Sequence, residues 1–271
     1  MKSTTSILQK CRNQFWKHKI ESFRKRHRNN PASLESCLQL NTLAEKRTSW
    51  MNPLYPRDNG KIKLIQKGSK LAHLKLAGLL RDEELGKWSL TVEVINWLEE
   101  YLQKYAPRRV IEFGSGISTL VLTSLLSQIH SNGTFRILSI DQRLEDIENT
   151  QKMLKKTKYY NSCQIVHAPL VPTFAGDRAT FSYQVSAIAK EYFNWLGKAD
   201  FVLIDGPYSQ GPARYSTLLQ VLDHLAPGAR FVMDDGLREK ELFAASLWQK
   251  QGLHLEGVLT LGKGVVLGKV N

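Results

Sequence analysis

Residues Val110–Thr119 constrain the fold of this chain more than any other stretch. The apolar run Val110–Phe113 is typical of a buried strand. Gly114 and Gly116 then allow a turn in which backbone can approach a ligand closely, because neither residue carries a Cβ. The apolar residues that follow recur at helical spacing and predict a helix with Ser118 as its N-cap. A strand, a glycine turn and a helix form the first unit of a nucleotide-binding α/β sheet.

The residues around the glycine pair narrow the choice of ligand. Tight turns of this kind also occur without any ligand. A dinucleotide-binding fingerprint needs a third glycine at position 119, where Thr119 stands. An acid, Glu112, precedes Gly114 by two residues. This acid-x-Gly-x-Gly pattern resembles the first motif of class I S-adenosylmethionine-dependent methyltransferases, and the resemblance implies that Glu112 lies near the ammonium group of the methyl donor.

Strand-like and helix-like segments alternate through the rest of the chain. Further strands are predicted at Phe135–Asp141, Cys163–His167, Asp200–Asp205, Ala229–Asp234, Leu253–Leu261 and Val265–Val270. Helices are predicted near residues 92–105, 144–156, 185–196, 215–225 and 239–251, and residues 173–183 are interpreted as a polar, poorly periodic connection. The last two strands are joined by Gly262–Gly264, which is typical of a hairpin turn.

This alternation predicts a doubly wound α/β fold with a mostly parallel sheet and a C-terminal antiparallel hairpin. The pattern is similar to the seven-stranded sheet of class I methyltransferases, and the resemblance implies the strand order 3-2-1-4-5-7-6. The resemblance covers residues 89–271. Residues 1–88 are predicted to be a basic helical N-terminal extension, with helices around Ala32–Lys46 and Leu71–Leu80.

Most of the formal charge of +13 belongs to the front of the chain. Residues 1–107 hold 20 of the 38 Lys and Arg residues but only 10 of the 25 Asp and Glu residues. Apolar residues between positions 7 and 23 recur at roughly helical spacing. A basic amphipathic helix of this kind can lie on an anionic membrane or a nucleic acid, can pack on its own domain, or can be a transit peptide.

The cysteines and the hydropathy pattern bear on the compartment. Cys11, Cys37 and Cys163 are scattered without metal-ligand spacing, which predicts free thiols in a reducing environment. No apolar run approaches the roughly 18 residues of a membrane helix, and no signal-peptide core follows the start. We therefore expect a cytoplasmic protein, with peripheral membrane contact left open by the basic N-terminus.

Acids stand at the ends of the predicted strands, where an open α/β sheet binds its ligands. Asp141 lies 25 residues after Gly116 and suits a carboxylate that accepts both ribose hydroxyls, although it can also cap the next helix. His167 stands where the resembled family often contacts adenine, and it can be such a contact or an ordinary loop histidine. The resemblance implies a donor site made of Glu112, Gly114, Ser115, Gly116, Ser118, Thr119, Asp141 and Gln142.

The fourth strand ends in Asp205–Tyr208, with the sequence Asp-Gly-Pro-Tyr. This run differs by one residue from the Asp-Pro-Pro-Tyr box of amino-methyltransferases, in which the aromatic ring stacks on a base. Alternatively, Asp205, Asp234 and Asp235 resemble the three carboxylates that hold Mg²⁺ in cation-dependent O-methyltransferases. There the metal would lower the pKa of an acceptor hydroxyl.

Three carboxylates that converge without a metal would repel one another unless cations lie beside them. Arg214 and Arg238 follow the two strand ends closely enough in sequence to supply that charge. The sequence therefore predicts either a magnesium site or a compensating arginine cluster at this edge of the sheet.

These features predict an S-adenosylmethionine-dependent methyltransferase that acts on a hydroxyl of a sugar or another small molecule. Asp205, Asp235, His167 and Tyr208 are the candidates for proton transfer or acceptor contact. Two alternatives remain open. One is an RNA or DNA methyltransferase whose basic extension contacts phosphates. The other is a non-catalytic, membrane-associated or interaction protein that retains the fold.

Overall fold

A computed structural model of the protein describes residues 2–45, 66–86, 88–131, 133–209 and 211–271. Its α-helices are α1 (Lys2–Arg26), α2 (Leu34–Glu45), α3 (Leu74–Leu79), α4 (Val92–Tyr105), α5 (Ile117–Ile129), α6 (Leu144–Leu154), α7 (Lys190–Leu196), α8 (Tyr215–Leu219) and α9 (Glu239–Lys250). Lys46, the last residue of the predicted helix 32–46, lies outside the described residues.

The strands are β1 (Gln66–Lys67), β2 (Glu84–Leu85), β3 (Arg109–Phe113), β4 (Arg136–Asp141), β5 (Cys163–His167), β6 (Leu170–Ala175), β7 (Arg178–Tyr183), β8 (Ala199–Ile204), β9 (Leu225–Asp234), β10 (His254–Leu259) and β11 (Val265–Lys269). Seven of them form one sheet in the order β5-β4-β3-β8-β9-β11-β10. In the chain order of those seven strands this is 3-2-1-4-5-7-6. Within this sheet the five strands β5, β4, β3, β8 and β9 are parallel, and β11 is antiparallel to both of its neighbours. The predicted α/β fold with a mostly parallel sheet and a closing antiparallel hairpin is confirmed.

Three local predictions are wrong. Residues 170–183 form the β6–β7 hairpin rather than an irregular connection, with Thr180 and Ser182 buried on it. The helix expected at 185–196 is limited to α7, because residues 185–187 form a single 3₁₀ turn. The helix expected over 215–225 is limited to α8, because a 3₁₀ turn follows at 222–224 and buried Leu225 already belongs to β9.

The core lies on both faces of the sheet, because successive side chains of a strand point to opposite faces. Val110 of β3 packs in the apolar cluster that contains α4 and α5. Its neighbour Ile111 packs in the cluster that contains α9 and the first two helices. Cys37 and Cys163 are buried free thiols, as predicted; the side chain of Cys11 is outside the description.

The N-terminal helices pack against the sheet. Trp16 of α1 is only 6% exposed in the same apolar cluster as Ile111. Arg24 donates a hydrogen bond to the Gly262 carbonyl at 2.7 Å, and Ala32 forms an antiparallel bridge with Val258 on the edge strand β10. Of the predicted alternatives for α1, the structure shows packing on its own domain. None of the helices within the described ranges is long and apolar enough to cross a membrane.

Candidate functional site

A pocket of about 630 Å³ opens at the carboxyl ends of β3, β4 and β8, within the usual size range of small-molecule sites. The predicted site residues that line it are Gly114, Ser115, Gly116, Ser118, Asp141, Gln142, Asp205 and Tyr208. Buried Tyr183 and exposed Trp88 line it as well, although the sequence did not point to either. Tyr183 belongs to the β6–β7 hairpin, so its place in the wall could not be predicted without that hairpin.

The two glycines of the turn after β3 serve different purposes. Gly114 has a φ of +93°, and a Cβ there would lie 3.0 Å from the backbone nitrogen of Gly206, so this glycine lets the turns after β3 and β8 touch. Gly116 has a φ of +144°, and a Cβ there would meet no protein atom within 4 Å. The second glycine therefore leaves the pocket wall open to a ligand.

Helix α5 begins at Ile117 with Gly116 as its N-cap, so the prediction of Ser118 as the N-cap is wrong. The Gly116 N–H donates to the Thr119 hydroxyl oxygen at 3.1 Å. Ile117 and Ser118 are the first two helical residues, so Ser118 does not occupy the position from which an N-cap side chain accepts. Ser118 instead lies in the first turn, along the pocket.

Asp141 joins the end of β4 to the glycine turn. One carboxylate oxygen accepts hydrogen bonds from the Ser115 N–H at 2.6 Å and from the Ser115 hydroxyl at 2.9 Å. The other oxygen accepts from the Arg143 N–H at 2.8 Å. Each carboxylate oxygen offers two lone pairs, so Asp141 accepts these three hydrogen bonds and can accept one more, from a hydroxyl of a ligand.

Glu112 is fully buried and is not part of the pocket wall. Its Oε2 accepts hydrogen bonds from the hydroxyls of Thr119 and Ser139, both at 2.6 Å. Burial raises its pKa to about 7, against the opposing effect of these hydrogen bonds. The structure thus places Glu112 and Thr119 beneath the wall, where they tie α5 to β4. A direct contact of Glu112 with the donor stays a prediction.

His167 and Tyr208 occupy different places. The His167 ring is exposed and its Nε2 lies 3.1 Å from the Gln142 carbonyl oxygen; it is not among the pocket-lining residues. Tyr208 is 67% exposed, and its ring meets the edge of the Trp88 ring with 5.2 Å between centroids. Of the two, only Tyr208 is placed to touch a molecule in the pocket.

The carboxylates of Asp205, Asp234 and Asp235 converge, with one oxygen of each within 4.8 Å of the others. Asp205 follows β8 and faces the pocket, with one-tenth of its side chain exposed. Asp234 is the last residue of β9 and Asp235 follows it, and both are buried behind Asp205. The acids predicted at the ends of these two neighbouring strands therefore do lie together, at the floor of the pocket.

Two buried cations lie among these carboxylates. The Lys263 ammonium is 3.1 Å from Asp234 Oδ2 and 2.9 Å from Asp235 Oδ1. The Arg214 guanidinium donates to Asp235 Oδ2 at 2.9 Å and to the Asp205 carbonyl at 2.9 Å, and it lies 3.6 Å from Asp205 Oδ1. Arg214 was predicted as a compensating charge. Lys263 was not, because its position depends on the register of the closing hairpin.

The pKa values of Asp205 and Asp235 are shifted in opposite directions. For Asp235, burial would raise the pKa, but Arg214 and Lys263 lower it to about 2. For Asp205, burial and the Asp234 charge raise the pKa well above its usual value, and Arg214 opposes them only in part. Asp235 is therefore a fixed anion, whereas Asp205 can hold a proton.

The residues at this cluster do not fit a divalent cation. Magnesium needs oxygen ligands and usually retains several waters, but the carboxylates of Asp234 and Asp235 are almost completely buried. The Lys263 ammonium lies within ion-pair distance of both, so a metal bound there would be next to a positive charge. Arg238 adds a further ion pair to Asp235 at 2.9 Å. The compensating charge that the sequence required comes from these side chains.

Comparison with known protein families gives a match that includes this site. Residues 111–236, a little under half of the chain, match the family model Methyltransf_24, described as a methyltransferase domain. The matched segment begins within β3 and contains the glycine turn, Asp141 and the three converging carboxylates. This match supports the predicted methyltransferase activity, whereas the identity of the methyl donor stays a prediction. No curated protein matches the chain.

Solved structures share the fold at low sequence identity. Cofactor-bound Rv0187 from MTB is 18% identical with a TM-score of 0.52, and the alignment covers 74% of this chain and 93% of that one. An O-methyltransferase from Bacillus cereus, in complex with SAH, is 11% identical with a TM-score of 0.50, covering 88% and 100%. At these identities the likeness shows the fold alone.

Proposed function

We propose that this protein transfers a methyl group from S-adenosylmethionine to a hydroxyl of a small molecule. The observation that carries the proposal is the pocket at the carboxyl ends of β3, β4 and β8. Gly116, Asp141 and Asp205 all line this pocket, and the space beside Gly116 is open. In an open α/β sheet this edge is where ligands bind, and the methyltransferase-domain match spans all three residues.

The pocket residues fit the donor. Gly116 leaves room for a ligand beside the start of α5, and Asp141 can accept one further hydrogen bond, from a ribose hydroxyl, while it fixes Ser115. S-adenosylmethionine, when bound, supplies an electrophilic methyl group on a positively charged sulfur. Ser118 and Gln142 complete the proposed donor site, and Thr119 and Glu112 support it from beneath.

Asp205 is the proposed general base. It faces the pocket, and burial and the Asp234 charge raise its pKa, which makes its carboxylate a stronger base than that of an ordinary aspartate. Arg214 fixes the strand end that carries it. Tyr208 and Trp88 are proposed to contact the acceptor at the mouth of the pocket. Asp235 acts through Arg214 rather than on the acceptor itself.

We assign the proposed activity to residues 89–271. Residues 1–88 are treated as an extension, of which α1 and α2 pack against that domain. Cytoplasmic location, nucleic-acid binding and membrane contact through the basic extension all stay predictions.

Calorimetric titration with S-adenosylhomocysteine tests the donor site. The wild-type protein should bind it, and Asp141→Asn should lower the affinity roughly 10- to 100-fold, since hydrogen bonds to charged groups contribute about 1.5–3 kcal/mol. The matched control is Asp177→Asn, since Asp177 is exposed in the turn between β6 and β7. This variant should bind S-adenosylhomocysteine with the wild-type affinity. A wild-type protein that gives no heat and no thermal shift would rule the proposal out.

A further inference from the structure

Lys263 is a buried lysine that lies behind the pocket, beside the carboxylates at the end of β9. It belongs to the turn between β10 and β11, and its side chain is only 3% exposed. The antiparallel pairing of Val265 with Asp234 sets the register that brings the ammonium to the end of β9. Within hydrogen-bond distance it has two carboxylates, those of Asp234 and Asp235.

The turn that carries Lys263 is fixed in place. The Gly236 N–H donates to the Gly264 carbonyl at 2.9 Å, and the Leu237 N–H donates to the Lys263 carbonyl at 3.2 Å. Gly264 has a φ of +94°, and a Cβ there would overlap the Leu237 side chain. The ammonium is therefore held against Asp234 and Asp235 by backbone contacts rather than by the flexibility of a surface side chain.

The charges form a continuous series from this turn to the pocket. Lys263 pairs with Asp235 at 2.9 Å, Asp235 accepts from Arg214 at 2.9 Å, and Arg214 donates to the carbonyl of Asp205 at 2.9 Å. Arg214 also donates to the Asp234 carbonyl at 2.6 Å. The ends of β8 and β9 are thus held together by positive side chains at the place where three carboxylates meet.

We propose that the Lys263 ammonium, together with the Arg214 guanidinium, replaces a divalent cation in this protein and positions Asp205 at the pocket floor without a metal. The role given to Asp205 rests on the proposed function, whereas the exclusion of metal does not. Lys263 is a positioning residue in this scheme, because it acts on Asp205 through Asp235 and Arg214.

The first test uses the wild-type protein. Calorimetric titration with Mg²⁺ alone should give no binding heat, and the thermal unfolding midpoint should be the same in Mg²⁺ and after exhaustive dialysis against a chelator. Metal analysis of the purified protein should find no stoichiometric divalent ion. Binding of Mg²⁺ to the wild-type protein, or a midpoint that falls after chelation, overturns the proposal.

The second test removes the ammonium. Lys263→Ala leaves three carboxylates with one fewer cation and a space beside them, so it should bind Mg²⁺ with measurable heat where wild type gives none, and Mg²⁺ should raise its unfolding midpoint. Lys269→Met, on the same hairpin, is the control and should behave like wild type. A lysine with a merely structural role would not create metal affinity when removed.

Each outcome of the second test decides the question. A folded Lys263→Ala protein that gives no Mg²⁺ binding heat and no change in unfolding midpoint overturns the proposal that the ammonium takes the place of a metal. If Lys263→Ala does not fold, Lys263→Met, which keeps the length of the side chain without the charge, is titrated instead, and the wild-type titration stands by itself. Failure of S-adenosylhomocysteine binding would remove the proposed function but would leave these metal titrations unaffected.

Discussion

Asp205 is the acid of its cluster that faces the pocket. Its pKa is raised by burial and by the charge of Asp234. We predict that Asp205→Asn lowers methyl transfer roughly 10²- to 10⁴-fold, the usual contribution of a general base, without changing S-adenosylhomocysteine affinity. A base must be deprotonated, so activity should rise with pH through a pKa higher than that of an ordinary aspartate. Steady-state rates against pH measure this, with Asp177→Asn as the control. An Asp205→Asn protein with the wild-type rate and pH profile would refute the assignment.

Glu112 gives a second prediction, on stability. Its folded pKa is raised by burial to about 7 from 4.5, so the folded protein keeps this proton at pH values where the unfolded chain releases it. The carboxyl therefore contributes stability that is complete below pH 4.5 and is lost as pH rises through 7. Across that window the unfolding free energy of wild type should fall by about 3 kcal/mol relative to Glu112→Gln. Urea unfolding of both proteins at several pH values measures it; parallel curves would show that the shift is absent.

At the level of single residues, the sequence predicts acids well and their partners poorly. Asp141, Asp205 and Asp234 were found because parallel strands end at the same edge of a sheet. Lys263 was missed because its contact with Asp234 depends on the antiparallel register of β9 and β11, which no local pattern encodes. Glu112 was predicted to lie near the ammonium group of the donor, which stays a prediction; hydrogen bonds from the hydroxyls of Thr119 and Ser139 hold its carboxyl group beneath the pocket wall.

At the level of elements, the turns after β3 and β8 touch through two glycines. A Cβ on Gly206 would overlap the Tyr183 hydroxyl and lie 3.1 Å from the Cα of Gly114. We predict that Gly206→Ala destabilises the protein by about 1–3 kcal/mol, the usual cost of overpacking. Adding Tyr183→Phe removes the nearest atom and should recover part of that loss. Urea unfolding of the two single variants and the double variant gives the coupling energy; strictly additive effects would contradict the proposed contact.

The β6–β7 hairpin shows where the prediction of elements from sequence fails. On this hairpin the apolar Phe174 and Phe181 are exposed, whereas the polar Thr180 and Ser182 are buried. Prediction of a strand assumes that apolar side chains are the buried ones, and that assumption does not hold here. The five parallel strands were predicted because their apolar runs are continuous, as strands covered on both faces require.

At the scale of the whole molecule, the fold of residues 89–271 could be predicted because strand–helix alternation with right-handed crossovers leaves few topologies. The packing of the first third could not be predicted from periodicity. The sequence pattern of a basic amphipathic helix is the same whether the helix packs on a sheet or lies on a membrane. Tertiary contacts determine which of the two surfaces it covers. Here Ala32 pairs with the edge strand β10 and Arg24 binds the hairpin turn that carries Lys263.

Because α1 packs in the same apolar cluster as β3 and β8, we predict that it unfolds together with the domain. Trp16→Ala should lower the unfolding free energy by about 3–5 kcal/mol, the usual cost of removing a buried tryptophan. Its neighbour Phe15 is 62% exposed against 6% for Trp16, so Phe15→Ala is the matched control and should cost less than about 1 kcal/mol. Urea unfolding followed by circular dichroism measures both. A Trp16→Ala protein as stable as wild type would mean that α1 contributes nothing to the cooperative unit, and its basic surface would then be free to leave the domain for an anionic partner.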